Sequence, residues 1–252
     1  MSEAAVKEPG DFLEYLGAET GNLLVSLNNH RVEFEMFSRV DHLYRTALGA
    51  GPFSSEDDLI IPQLFLLVHY QYWHSAATFL RCHLSDALAS MRKAIEAGLT
   101  AYRIIEDRPS QIQYVKRDKS FLSHKRYFNK VWKTDPDAYP LARPLLNHWD
   151  ACSQYGSHAD VDTFFYRVDL PDADSPMLRL HYFQHSKNRW EFGWHFLMLV
   201  YTFVIILKVF EKYLVHEKAL LPEGWAKSIP EVGKNVEDLI EEAKRRAKSE
   251  KP

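Results

Sequence analysis

The sequence predicts an all-α, or mainly α, multi-helix bundle around a buried apolar helix at about 190–215, with a small β-hairpin at 163–183 as its departure from helix. Three observations lead there. Apolar residues recur at steps of three and four along most of the chain, the period of a helix with one buried face. The stretch from Phe192 to Leu207 carries no formally charged side chain, so a helix made from it is apolar all round and must be enclosed by others. The composition, 46% hydrophobic and 26% charged over 252 residues, is that of a globular chain with a sizeable core and shows no break dividing it.

Residues 1–10 read as a disordered acidic tail, 11–227 as one helical domain, and 228–252 as a C-terminal amphipathic helix with a basic end. Phe12, Leu13, Leu16, Leu24 and Leu27, then Phe34, Phe37, Val40 and Leu43, make two helices broken near Asn28 and Asn29; Gly49, Gly51 and Pro52 stop the second. Ser55 with Asp58 looks like a cap for a long helix through Leu80, with Pro62 in its first turns, where a missing N–H costs least. Ser85 can cap the next helix, whose stripe of Leu88, Met91, Ile95, Leu99 and Tyr102 follows the helical period and ends at Arg108 and Pro109.

Ser110 to Trp132 reads as one mixed-charge helix, and a linker with Pro136, Pro140 and Pro144 leads to a helix from Leu145 to Tyr155 and a loop from Gly156 to Asp162. Aromatic and β-branched runs on either side of Pro171–Pro176 suggest the hairpin. Asn188 with Glu191 caps the apolar helix, and Ser228 with Glu231 repeats that signature before a stripe of Val232, Val236, Leu239, Ile240 and Ala243.

Several classes are disfavoured. A net charge of -3 supplies no overall basic field, hence no strong nucleic-acid signal. Two cysteines, Cys82 and Cys152, are too few for a disulfide framework and read as free thiols of a cytoplasmic protein. The first ten residues lack the apolar run of a signal peptide. Lys208 cuts the apolar stretch short of the ~20 residues that a membrane span needs, so the core reading stands first and membrane association is the second alternative.

The polar residues offer few sites. Arg92 lies at the edge of its helix stripe with Glu96 one turn on; this is a structural ion pair or one side of a polar pocket in which Arg92 binds an anionic ligand, with the apolar helix as the wall against which both are satisfied. His158 sits in a loop with Ser153, Ser157, Asp160 and Asp162 around it, a hydrogen-bonding residue or an acid–base group. The twelve histidines show no metal-ligand spacing, and no phosphate loop or nucleophile elbow is present, so no metal and no cofactor is expected.

The run RCHLSDALASMRKAIEAGLTAYRIIEDRP, followed by WDACSQYGSHADVD and an apolar closing helix, resembles a group of uncharacterised bacterial all-helical proteins related to the HEPN superfamily, over roughly Leu59 to Leu214. The resemblance implies that Arg92, Glu96, Ser153 and His158 meet in space. Many HEPN proteins are metal-independent ribonucleases of the toxin or phage-defence class, with Arg and His four to six residues apart between them. Arg117/His124, Arg143/His148, Arg179/His185 and Arg189/His195 fit that spacing, though the abundance of both residues supplies most such matches by chance, and Pro144 after Arg143 departs from the usual polar neighbour. The leading expectation is a helical bundle that binds a ligand or a protein partner, itself included as a homodimer, with no recognisable catalytic motif. The segment Lys116 to Trp132 and the terminal helix are its expected contact surfaces. The ribonuclease is the alternative, with Arg117, His124, Arg143 and His148 as its machinery.

Overall fold

Asp11 opens the first helix by accepting the Glu14 N–H on its carboxylate at 2.9 Å, which satisfies one of the orphan donors of the first turn. The computed structural model describes residues 8–50, 59–156, 168–169, 179–184, 188–216 and 220–249. Within them α1 spans Phe12–Asn29, α2 Arg31–Gly49, α3 Ile60–Leu80, α4 Leu84–Glu106, α5 Ser110–Val115, α6 Lys119–Leu122, α7 His124–Thr134, α8 Ala142–Gly156, α9 Arg189–His216 and α10 Trp225–Ser249. Two-residue strands β1 (Val168–Asp169) and β2 (Arg179–Leu180) pair antiparallel, Val168 opposite Leu180. The expected hairpin lies in this place, and its remainder falls outside the described residues, as do Ser55 and Asp58 of the expected cap.

The apolar helix is α9, and it is the core. Phe196, Phe203, Ile206 and Phe210 have no exposed surface, and α3 meets them with a ladder of rings: Phe79 against Phe196, Tyr72 against Phe203 and Phe65 against Phe210, at centroid distances of 5.4, 4.6 and 4.8 Å. Such offset and tilted pairs add to the area they bury. Asn188 caps α9 as its sequence indicates, accepting the Trp190 N–H at 2.8 Å and the Glu191 N–H at 3.3 Å. Two glycines let neighbouring backbones close on α9 from different sides. A Cβ on Gly98 of α4 would sit 3.0 Å from Ile206 Cγ2, and one on Gly233 of α10 would sit 3.2 Å from Val204 Cγ1.

A window of 18 residues inside Arg189–Val215 averages a hydropathy of 1.8, enough by length and composition to cross a membrane, and 67% of that window is buried inside the bundle. Its neighbours thus cover about two thirds of that window.

Helix α2 is tied to both ends of the chain's fold. Asp41 accepts from His69 Nε2 at 2.9 Å and Trp73 Nε1 at 2.5 Å on α3 and from Arg45 Nε at 2.8 Å. Burial pushes the Asp41 carboxyl up, and these three hydrogen bonds outweigh it and hold the group below its usual range. Tyr44 donates its hydroxyl to Phe203 O at 2.8 Å, Trp225 Nε1 donates to Leu43 O at 3.0 Å, and Leu220 N donates to Ala50 O at 3.1 Å. The terminal helix is therefore packed into the bundle, with Ile229, Val232, Val236 and Ile240 buried.

Four local expectations differ from the structure. The segment 110–134 is three short helices, because Arg117 takes a left-handed backbone (φ 54°) that ends α5. The start of α4 is capped from a distance: Gln184 Oε1 accepts the Ser85 N–H at 3.0 Å and faces the Ser85 hydroxyl at 3.3 Å, so Ser85 is the residue held and not the cap. Ser228 lies inside α10, where its hydroxyl donates to Gly224 O at 3.1 Å. Helix α1 leaves Phe12, Leu13 and Leu24 exposed, since it lies on the outside of the bundle and presses only Leu23 and Leu27 toward the core.

Candidate functional site

The i, i+4 spacing of Arg92 and Glu96 on α4 produces the ion pair, Arg92 Nε to Glu96 Oε1 at 3.1 Å. The same carboxylate oxygen accepts Trp149 Nε1 of α8 at 2.9 Å, and the guanidinium lies 4.6 Å from the centre of that indole. Ser153 donates its hydroxyl to Trp149 O at 2.7 Å. Arg92 and Glu96 thus meet at the Trp149 indole, the Ser153 bond is one to the carbonyl a turn back in its own helix, and His158 lies outside the described residues. The wall of this cluster is α8, not α9 as expected, because the face of α4 turned to α9 carries Gly98 and not the ion pair. With the Arg92 and Glu96 side chains 27% and 42% exposed, the pair is a surface clamp worth little stability.

Beside the clamp is a cavity of about 220 Å³ whose lining includes Glu96, His124, Lys125 and Trp149. Thr100 donates its hydroxyl to Glu96 O at 2.8 Å, so in the 3.3 Å contact between Thr100 Oγ1 and His124 Nε2 the ring nitrogen is the donor, and the neutral ring leaves its lone pair on Nδ1. Burial, assisted by the Arg103 guanidinium, pushes the His124 imidazole down to about 4. Nδ1 is buried with no partner. Arg103 lies over the rings of Phe121 and Tyr127, 3.8 and 3.7 Å from their centres, and donates to Phe121 O.

A second and larger cavity, of about 360 Å³, opens where the end of α3, the first half of α4, α8 and α9 meet. Phe79, Leu84, Leu88, Met91, Met198 and Leu199 give it an apolar body, and Ala151, Gln184, Thr202, His148, His195 and Trp194 complete it; none of these twelve carries a formal charge when its histidines are neutral. Burial pushes His148 down to about 4 and lowers His195 as well, with Glu191 opposing the shift at His195. The Trp194 N–H is buried without an acceptor. A mostly apolar hollow of this size with a few convergent polar groups is the usual form of a small-molecule site.

The expected ribonuclease residues occupy separate places. Arg117 is exposed in the turn between α5 and α6, whereas His124 turns inward to Thr100. Arg143 donates to Pro136 O at 3.0 Å and stacks 4.7 Å over Trp132, while His148, roughly 140° further round the same helix, bonds Thr202 Oγ1 at 2.8 Å. Arg189 lies over Trp190, His195 packs on Trp194, and His185 is outside the described residues. Among the described residues no group of three or more His, Cys, Asp or Glu side chains lies together as a metal ion requires. Burial pushes the thiols of Cys82 and Cys152 up to about 11 and 12, which leaves neither as a thiolate at neutral pH.

Trp149 and Trp194 are the residues that sequence reasoning missed. Each carries an obligatory N–H donor on a helix that must bury its ring, which is the one signal in the sequence that marks them. Comparison of the chain with protein families, with curated proteins and with solved structures found no match.

Proposed function

We propose that this protein is a ligand-binding helical bundle whose site is the larger cavity among α3, α4, α8 and α9. The observation that carries the reading is the cavity itself. About 360 Å³ of space among four helices is lined mainly by apolar side chains and by two neutral-leaning histidines, although larger side chains filling it would add stability. Toluene, the simplest occupant, is expected to shift the methyl resonances of Leu88, Met91 and Met198 in a saturable way, and Leu88→Trp, which extends a ring into the space, is expected to abolish those shifts. Shifts that remain in the variant, or none in the parent, reject the cavity as a binding site.

Self-association as a homodimer is the second reading, favoured by α3, where Leu66, Tyr70 and Trp73 are 57%, 56% and 49% exposed on the side away from α9. Sedimentation equilibrium is expected to show a concentration-dependent mass that Leu66→Lys with Tyr70→Lys returns to monomer; a strict monomer in the parent ends this reading. A metal-independent ribonuclease draws less support, since Arg143 and His148 engage different partners and His124 turns inward to Thr100 while Arg117 is exposed.

A further inference from the structure

Resting on the self-association reading, a more specific assignment of the contact comes from the outer side of α1. Phe12, Leu13, Leu24 and Val25 are 71%, 77%, 63% and 60% exposed there, with Leu16 at 41%. Together they bare about 500 Å² of apolar surface, toward the upper end of what a monomer shows. Two such faces in contact remove about 1,000 Å² from water, the area at which a specific interface begins.

Gly17 and Gly21 lie exposed in the middle of this face. A glycine inside a helix weakens it relative to alanine, so its natural place is where a neighbour comes too close for a side chain. Other helical glycines of the chain fit that rule: a Cβ on Gly98, Gly193 or Gly233 would sit 3.0 Å from Ile206 Cγ2, 2.6 Å from Glu33 Oε1 or 3.2 Å from Val204 Cγ1. A Cβ on Gly17 or Gly21 meets nothing within 4 Å. No described part of the chain accounts for these two, whereas a helix packed on α1 from outside would.

The chemistry of the face selects the occupant. Its outward residues are uncharged, and Thr20 between the glycines donates its hydroxyl to Leu16 O at 3.0 Å, so the face can dry without orphaning that donor. A lipid surface calls for Lys or Arg beside the apolar stripe, and α1 has neither. The order of residues fits a copy of itself. Run antiparallel about a two-fold axis beside Ala18 and Glu19, the face sets Leu13 opposite the partner's Leu24 and Leu16 opposite the partner's Gly21. Large side chains then fall on small ones at the centre, which lets the two backbones approach. We propose that a second copy of this chain docks on α1 with its own α1 antiparallel, the Gly17–Gly21 notch lying at the middle of the contact.

Sedimentation equilibrium of the full chain is expected to show a dimer that Gly17→Ala with Gly21→Ala weakens about tenfold, because the added methyl groups hold the helices apart. The same pair is expected to raise the thermal midpoint of dilute protein by about 4 °C, since alanine is the better helix former. Weaker association with a gain in stability separates a packing notch from damage to the fold. Leu13→Cys mixed with Leu24→Cys is expected to cross-link on mild oxidation, and neither variant is expected to do so alone; the native Cys82 and Cys152 are buried.

Undiminished association in Gly17→Ala with Gly21→Ala, or cross-linking of either cysteine variant alone, overturns the α1 assignment. Association that survives there and is lost in Leu66→Lys with Tyr70→Lys overturns it while leaving self-association in place on α3. A strict monomer in the parent overturns the self-association reading itself.

Discussion

Lowering the pH from 7.5 to 4.5 is expected to destabilise the fold by several kcal/mol. His124 and His148 have ordinary values of 6.5 and are each pushed down to about 4, mainly by burial. The unfolded chain takes up these protons first, so the folded state has its full stability above pH 6.5 and loses it as the pH falls toward 4. Each imidazole contributes on the order of 3 kcal/mol over that window, against total stabilities of about 5–15 kcal/mol for a domain. Asp41 acts in the same direction lower down, because its depressed carboxyl is stabilising only while ionised. Urea midpoints measured across this range are expected to fall steeply below pH 6.5, and His148→Gln is expected to flatten the slope by about one proton. Identical midpoints at pH 7.5 and 4.5 would show that both rings meet solvent in the folded state.

Phe203→Ala is expected to cost about 3–5 kcal/mol, near the upper limit for a single truncation. The ring has no exposed surface, packs tilted against Tyr72 at a centroid distance of 4.6 Å, and belongs to the residue whose carbonyl takes the Tyr44 hydroxyl at 2.8 Å. Relaxation into the hole is restricted, because α9 is held from other sides by close approaches at Gly98 and Gly233. Thermal unfolding followed by circular dichroism is expected to show the midpoint lowered by roughly 10 °C or more. A loss below about 1 kcal/mol would mean that the core repacks around the gap.

Elements whose cause is local were legible in the sequence, and elements whose cause is a distant partner were not. The stripe of α4 and the Asn188 cap of α9 can be read because their geometry depends on residues within one or two turns. The break at Arg117 could not be, since a left-handed backbone at an arginine has no glycine to announce it. The cap on α4 comes from Gln184, 99 residues later in the chain. The candidate sites divide in the same way. The spacing of Arg92 and Glu96 implies their pairing, but that Trp149 shares the carboxylate depends on how α8 crosses α4. The larger cavity is a mismatch of volumes between four helices, and no sequence pattern encodes an absence of atoms.

The bonds from α2 to the late part of the chain also set the order of assembly. Tyr44 reaches across 159 residues to Phe203, and Trp225 across 182 to Leu43. On a ribosome, α1 to α4 emerge with their inner faces bare, because the helix that fills them has yet to be made. Completion of this core therefore waits on α9 and α10. Until then, the aromatic ladder of α3 is the surface a nascent-chain chaperone would meet.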